Sequence, residues 1–172
     1  MNLKLFSYVV ITIAMLIQPS SVKADIRTMY EQGRWSMSAG LNNIGVQTCM
    51  IGTTWPDGRN LSIIWFAGTS WLTVRISKFG WDIPRNIHPQ ISFSFDNRNP
   101  WTANSNTVTP SMIEFTVTND NIVNFMHEAQ LANTMVITFT GSETPWYVGL
   151  SGLQDVSSHM INCIKAHDTQ PY

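Results

Sequence analysis

The chain has 172 residues, 44% of them hydrophobic and 12% charged, with a formal net charge of −1. So apolar and weakly charged a composition excludes a disordered chain, and Lys and Arg residues scattered singly exclude the basic patch that a nucleic acid or an anionic membrane requires. Seven tryptophans supply aromatic surface for a core or for a binding face.

Residues 1–24 read as a secretory leader. Lys4 precedes an apolar stretch from Leu5 to Ile17, and Val22 and Ala24 stand where a signal peptidase wants small residues, so cleavage is expected after Ala24. The apolar stretch is short of the about 20 residues needed to cross a bilayer, so no stable membrane insertion is expected once the leader is removed. Loss of Lys4 and Lys23 takes the ten basic residues to eight against eleven acidic ones, a net charge of −3. Residues 25–172 suffice for one β-rich domain that buries roughly two thirds of its unfolded surface. Export also bears on the cysteines: outside the cytoplasm an even pair is most simply one disulfide, Cys49 to Cys163. Closing so long a loop restrains the unfolded chain by about 4.7 kcal/mol in the chain-entropy treatment.

In chain order, WSMSA (residues 35–39) and GVQTCMIGTTW (45–55) read as two strands joined by a turn at Leu41-Asn42-Asn43. The W-P-D-G-R-N run (55–60) is a strong turn signal, because proline presets φ and glycine admits positive φ. Strands follow at LSIIWFA (61–67) and, after a break at Gly68-Thr69-Ser70, at WLTVRISK (71–78), where Leu72, Val74 and Ile76 alternate with Thr73, Arg75 and Ser77. Gly80, Pro84 and Pro89 make residues 79–90 an irregular crossing. ISFSFD (91–96) alternates again. The polar run from Asn97 to Pro110 reads as a long loop with at most a weak edge strand, and MIEFTVT (112–118) as a strand. Ile122, Phe125, Met126 and Ala129 repeat at helical spacing over 119–133, with Asp120 or Asn121 as N-cap. TMVITFTG (134–141) and WYVGL (146–150) form a hairpin. Leu153, Val156, Met160 and Cys163 then mark one face of a short terminal helix, pinned by its thiol to the Cys49 strand. The expected fold class is mainly β: an antiparallel β-sandwich or barrel-like domain with one mid-chain helix and a short C-terminal helix.

Catalytic signatures are missing from the chain: it has no H-E-x-x-H, G-x-S-x-G, phosphate loop or dinucleotide fingerprint. Eleven acids permit a glycosidase-like pair somewhere, which is not evidence for one. His127 and Glu128 are adjacent on the mid-chain helix, diverge by about 100°, and read as solvated. His88, His159 and His167, the last of them in a polar tail, show no metal-ligand spacing, so no metal and no cofactor is expected. Trp35, Trp65, Trp71 and Trp146 lie in strands and read as core. Trp55, Trp81 and Trp101 each lie beside turn chemistry and are the candidate binding surface for a sugar, peptide or protein. Asn60-Leu61-Ser62 matches a glycosylation acceptor pattern.

The strand at Trp35, the Cys49 strand, W-D-I-P (81–84), F-S-F-D (93–96) and the ending M-V-I-T-F-T-G…P-W-Y-V-G-L-S-G…C-I together resemble the invasion-associated locus B family. Those are exported alphaproteobacterial proteins of mostly β fold, with cysteines placed early and at the C-terminus. The likeness runs over most of the chain after the leader, and the Asn97–Pro110 segment departs from it. It implies a periplasmic or surface location and, for some members, a part in contacting or entering host cells. It implies no catalytic residue. The expectation is therefore an exported, non-enzymatic binding protein of the bacterial envelope, whose partner is an envelope or host-surface protein or glycan. The alternatives are an accessory or inhibitor protein of an envelope or secretion system, using residues 97–110 as an inserting loop, and a cell-wall glycan hydrolase.

Overall fold

The computed structural model describes residues 23–168. The expected leader lies outside them apart from Lys23 and Ala24. Strands β1 (Asp25–Gln32), β2 (Trp35–Leu41), β3 (Gln47–Thr54), β4 (Arg59–Phe66) and β5 (Leu72–Lys78) run as an antiparallel meander. After the crossing come β6 (Gln90–Phe95), β7 (Trp101–Asn104), β8 (Asn106–Thr109), β9 (Met112–Val117), helix α1 (Asn119–Leu131), β10 (Thr134–Phe139), β11 (Trp146–Gly149) and helix α2 (Leu153–His167).

These strands make two antiparallel sheets, one in the order β1-β2-β3-β4-β5-β9-β8 and the other β11-β10-β6-β7. Of the two expected architectures the chain adopts the sandwich, since neither sheet closes into a barrel. The alternation seen in the sequence supplies its interior. Leu61, Ile63 and Trp65 of β4 and Leu72, Val74 and Ile76 of β5 join Ile91, Phe93 and Phe95 of β6 in one buried cluster. Phe93 meets Phe115 of β9 across the sheets at 5.1 Å. Each such side chain stabilises the fold by about 1.5–3 kcal/mol through removal of apolar surface from water. The indole N–H of Trp35, itself buried, donates to the carbonyl of Gly149 at 3.0 Å and so ties the two sheets at one edge.

Strand β1 was not anticipated. It is an edge strand whose side chains are nearly all exposed, so its sequence carries no apolar alternation, and the pairing with β2 shifts register at a bulge between Thr28 and Tyr30. Tyr30 turns inward and stacks on His159 of α2, with ring centroids 4.0 Å apart. The Asn97–Pro110 segment is also more ordered than a loop. It forms β7 on the smaller sheet and β8 on the larger, and the switch between sheets occurs at Ser105, whose N–H and hydroxyl both donate to the Pro89 carbonyl. Polar side chains on short edge strands hid both elements. The chain enters this segment at Asp96 and Asn97, with φ of 44° and 62°. The Asp96 carboxylate accepts from the backbone N–H groups of Asn133 and Thr134, each at 2.9 Å, which joins the start of β10 to the end of β6. Those two N–H groups hold the Asp96 carboxyl below its ordinary range.

Three further expectations are corrected. Trp71 lies just before β5 and is 41% exposed, because the inward series starts at Leu72. The N-cap of α1 is Thr118, and Asp120 sits in the first turn, where its charge suits the helix dipole. His167 is the last residue of α2 and not part of a tail. Helix α2 is capped by Gly152, whose φ is 89° and where a Cβ would come within 2.5 Å of the Gln32 carbonyl oxygen, so no other residue fits beside the end of β1. From there α2 packs on β1, β2 and β3 through Leu153, Val156 and Met160. Cys163 of α2 and Cys49 of β3 are joined by a disulfide, their Cα atoms 6.1 Å apart.

Candidate functional site

Two of the three tryptophans singled out by their turns meet at one end of the sandwich. The turn between β3 and β4 closes with Trp55 and Arg59 bonded through their backbones at 2.9 Å. Gly58 takes a φ of 82°, and a Cβ there would press on Phe79 Cβ at 2.8 Å. Asp57 accepts from Arg59 Nε at 2.8 Å and aims the guanidinium at two indoles, 5.3 Å from the ring centroids of Trp55 and Trp146. Trp146 is the hub. It stacks on Trp81 at 5.5 Å, meets Phe139 at 5.2 Å and takes the edge of Trp55 at 6.0 Å. Trp81 in turn meets Phe139 edge-on at 5.6 Å.

Glu143, in the connection between β10 and β11, organises this cluster. Its Oε2 accepts from Trp81 Nε1 at 2.8 Å, its Oε1 from Trp146 Nε1 at 2.8 Å, and Lys78 Nζ donates to Oε1 at 2.9 Å. Burial pushes the carboxyl up, but the hydrogen bonds from Trp146, Trp81 and Lys78 together outweigh it and hold the group below its ordinary range. Glu143 is thus a fixed anion that orients two indoles. A general acid has to hold its proton near neutral pH, and this environment favours the opposite state.

Beside the cluster lies a cleft of about 400 Å³, between the crossing segment and the β10–β11 connection. Its walls are apolar, with Trp81, Ile83, Ile87 and Phe139, and its rim carries Asp82 and Ser142. The crossing is pinned there because Ile83 N–H donates to the Pro110 carbonyl at 2.8 Å.

Trp101 lies elsewhere. On β7 it packs edge-on against Phe125 at 5.8 Å and donates from Nε1 to Glu128 at 2.9 Å, so it fastens β7 to α1. Glu128, read from the sequence as solvated, is half-buried and is that acceptor. All three candidate tryptophans are half-buried against the core, so none is displayed as a free aromatic face. Sequence reasoning missed Glu143, Lys78 and Arg59 as members of the cluster. Lys78 and Glu143 are 65 residues apart, and no local pattern joins them. Asn60 lies within β4 with its amide donating to Thr54 Oγ1 at 2.8 Å. Among the described residues, no three His, Cys, Asp or Glu side chains are grouped to hold a metal ion. None of the described helices is long and apolar enough to cross a membrane.

The fold is similar to that of invasion associated protein B from Bartonella henselae. The crystal structure of that protein superposes with a TM-score of 0.54 at 12% sequence identity, covering 79% of this chain and 97% of the other. At that identity the likeness is one of fold. No family model matches the sequence. No curated protein matches it either.

Proposed function

We propose that the protein is an exported, non-catalytic binding module of the bacterial envelope, which grips an envelope or host-surface partner in the Trp81 cleft. The observation that carries this reading is Glu143. Of the two acids lining the cleft, Asp82 and Glu143, the latter is committed to Trp81, Trp146 and Lys78 and so shapes an apolar pocket rather than acting on a guest. An extracytoplasmic setting is supported by the leader pattern, by the Cys49–Cys163 disulfide and by the fold likeness to an invasion-associated protein. The binding reading is favoured over the inhibitor one because, within residues 97–110, β7 and β8 are paired into the two sheets, which leaves little free chain for an inserting loop.

A photo-crosslinking residue in place of Ile87, which is exposed at the cleft, tests the proposal in whole envelopes, with the same residue in place of Met29 on β1 as the control. A discrete adduct is expected from position 87, and its loss when Ile83→Asp is added. Equal labelling from both positions would remove the cleft from the account. Release of reducing ends from cell-wall glycan that disappears with Asp82→Asn or Glu143→Gln would replace binding with hydrolysis.

A further inference from the structure

The lining of the Trp81 cleft is acidic as well as apolar. Two carboxylates face it, those of Asp82 and Glu143, and no Lys, Arg or His side chain does. Glu143 shares its charge with Lys78 and commits both oxygens to indole N–H groups. Asp82 is exposed at the rim, and its carboxylate has no hydrogen-bond or ion-pair partner among the described residues. Building on the binding reading of this cleft, we propose that it takes a lysine or arginine side chain of a protein partner, and that Asp82 is the residue that selects it.

A basic side chain has two parts, and each matches a part of the cleft. Its methylene stem covers apolar surface while its charged head stays near water, and here Trp81, Ile83, Ile87 and Phe139 lie beside an exposed acid. The two aromatic rings add their own attraction for a cation. The opposite guest, an apolar group bearing a carboxylate, would meet Asp82 as a like charge. A bare metal ion fits poorly: calcium takes about six to eight oxygens, and among the described residues no three His, Cys, Asp or Glu side chains are grouped to hold an ion.

Two observations favour a polypeptide over a lipid surface as the bearer of the basic group. The backbone N–H groups of Gly141 and Ser142, in the cleft lining, have no acceptor among the described residues and suit the carbonyls of an extended chain. Anionic lipid surfaces attract basic segments, whereas this cleft is acidic. From residue 25 onward the chain also has eight basic residues against eleven acidic ones, so its overall field draws a basic partner inward. Because Asp82 is exposed, its selectivity is that of a surface ion pair, up to about five-fold in affinity.

The test is an NMR titration of the disulfide-bonded protein, residues 25–172, at low ionic strength with capped peptides Ala-Leu-Xaa-Leu-Ala in which Xaa is Lys, Arg, norleucine or Glu. Saturable shifts of the Trp81 indole N–H are expected from the Lys and Arg peptides, with affinities about three- to five-fold above that of the norleucine peptide, which has the stem without the charge. The Glu peptide should bind most weakly. In Asp82→Asn the Lys peptide should fall to the norleucine value while the norleucine peptide itself is unchanged, and in Asp82→Lys the Glu peptide should become the preferred one. The proposal is overturned if no peptide shifts the Trp81 indole, if Lys and norleucine peptides bind alike, or if the preference survives Asp82→Asn. Phosphatidylcholine vesicles that shift the same indole at lower concentration than the Lys peptide would overturn the choice of a protein partner. An adduct from position 87 without any peptide preference would refute the basic side chain and keep the binding reading. The preference without an adduct would support the basic side chain and remove the envelope partner.

Discussion

Replacing Glu143 by alanine tests whether one carboxylate holds the end of the sandwich together. The Trp146 indole is 1% exposed, so its N–H, left without an acceptor, retains the full desolvation cost of about 1–3 kcal/mol. Trp81 is half-buried and regains water, so its loss is about 1 kcal/mol or less. The Lys78 pair, with side chains 32% and 17% exposed, adds up to about 1 kcal/mol. Together these effects place Glu143→Ala about 2–4 kcal/mol below the parent protein, whereas Lys78→Met loses only the last of them. Equilibrium urea unfolding, followed by tryptophan fluorescence, reads the difference as a midpoint lowered by roughly 1–2 M for a slope of about 2 kcal/mol per M. The pH dependence has a definite sign. Because the folded-state pKa of Glu143 is depressed, its contribution is fully present above the unfolded carboxyl value of about 4.3 and is lost as the pH falls through the folded value. The gap between Glu143→Ala and the parent should therefore narrow below about pH 4. An alanine variant within 0.5 kcal/mol of the parent at neutral pH, or a Lys78→Met variant equally unstable, would refute the assignment of Glu143 as the organising group.

Loss of the disulfide through paired Cys49→Ala and Cys163→Ala substitutions is expected to cost about 2–5 kcal/mol, seen in calorimetry as a melting temperature lower by roughly 5–15 °C. Trp101→Phe retains the ring packing on Phe125 but deletes the bond to Glu128, so thermal unfolding should show a loss of about 1 kcal/mol. Asp96 accepts two backbone N–H groups and titrates low, so the Asn133 and Thr134 amide shifts should move with a midpoint below the ordinary carboxylate value. In Asp96→Asn the same two amides should exchange faster with deuterium.

Local regularities in the sequence were enough to locate most of the sheet strands. Leu72-Val74-Ile76 and Ile91-Phe93-Phe95 show a period of two, which has one physical meaning in a half-buried strand, and W-P-D-G marks its turn through backbone constraints of its own residues. The pairing of Cys49 with Cys163 was legible too, because two cysteines leave one intramolecular choice. Strands β1, β7 and β8 were not legible, since their side chains are mostly polar or exposed and show no clear apolar period, unlike those of the edge strand β11.

The candidate site belongs almost wholly to tertiary structure. From their turns Trp55, Trp81 and Trp101 looked equivalent. The fold brought Trp55 and Trp81 together around Trp146 and sent Trp101 to α1. It also supplied Glu143 from the β10–β11 connection, 62 residues from the Trp81 indole that it holds. Periodicity and turn chemistry are properties of neighbours along the chain and can be read there. A carboxylate that collects donors from two sheets depends on register and on the sheet-to-sheet crossing, and only the folded chain determines those.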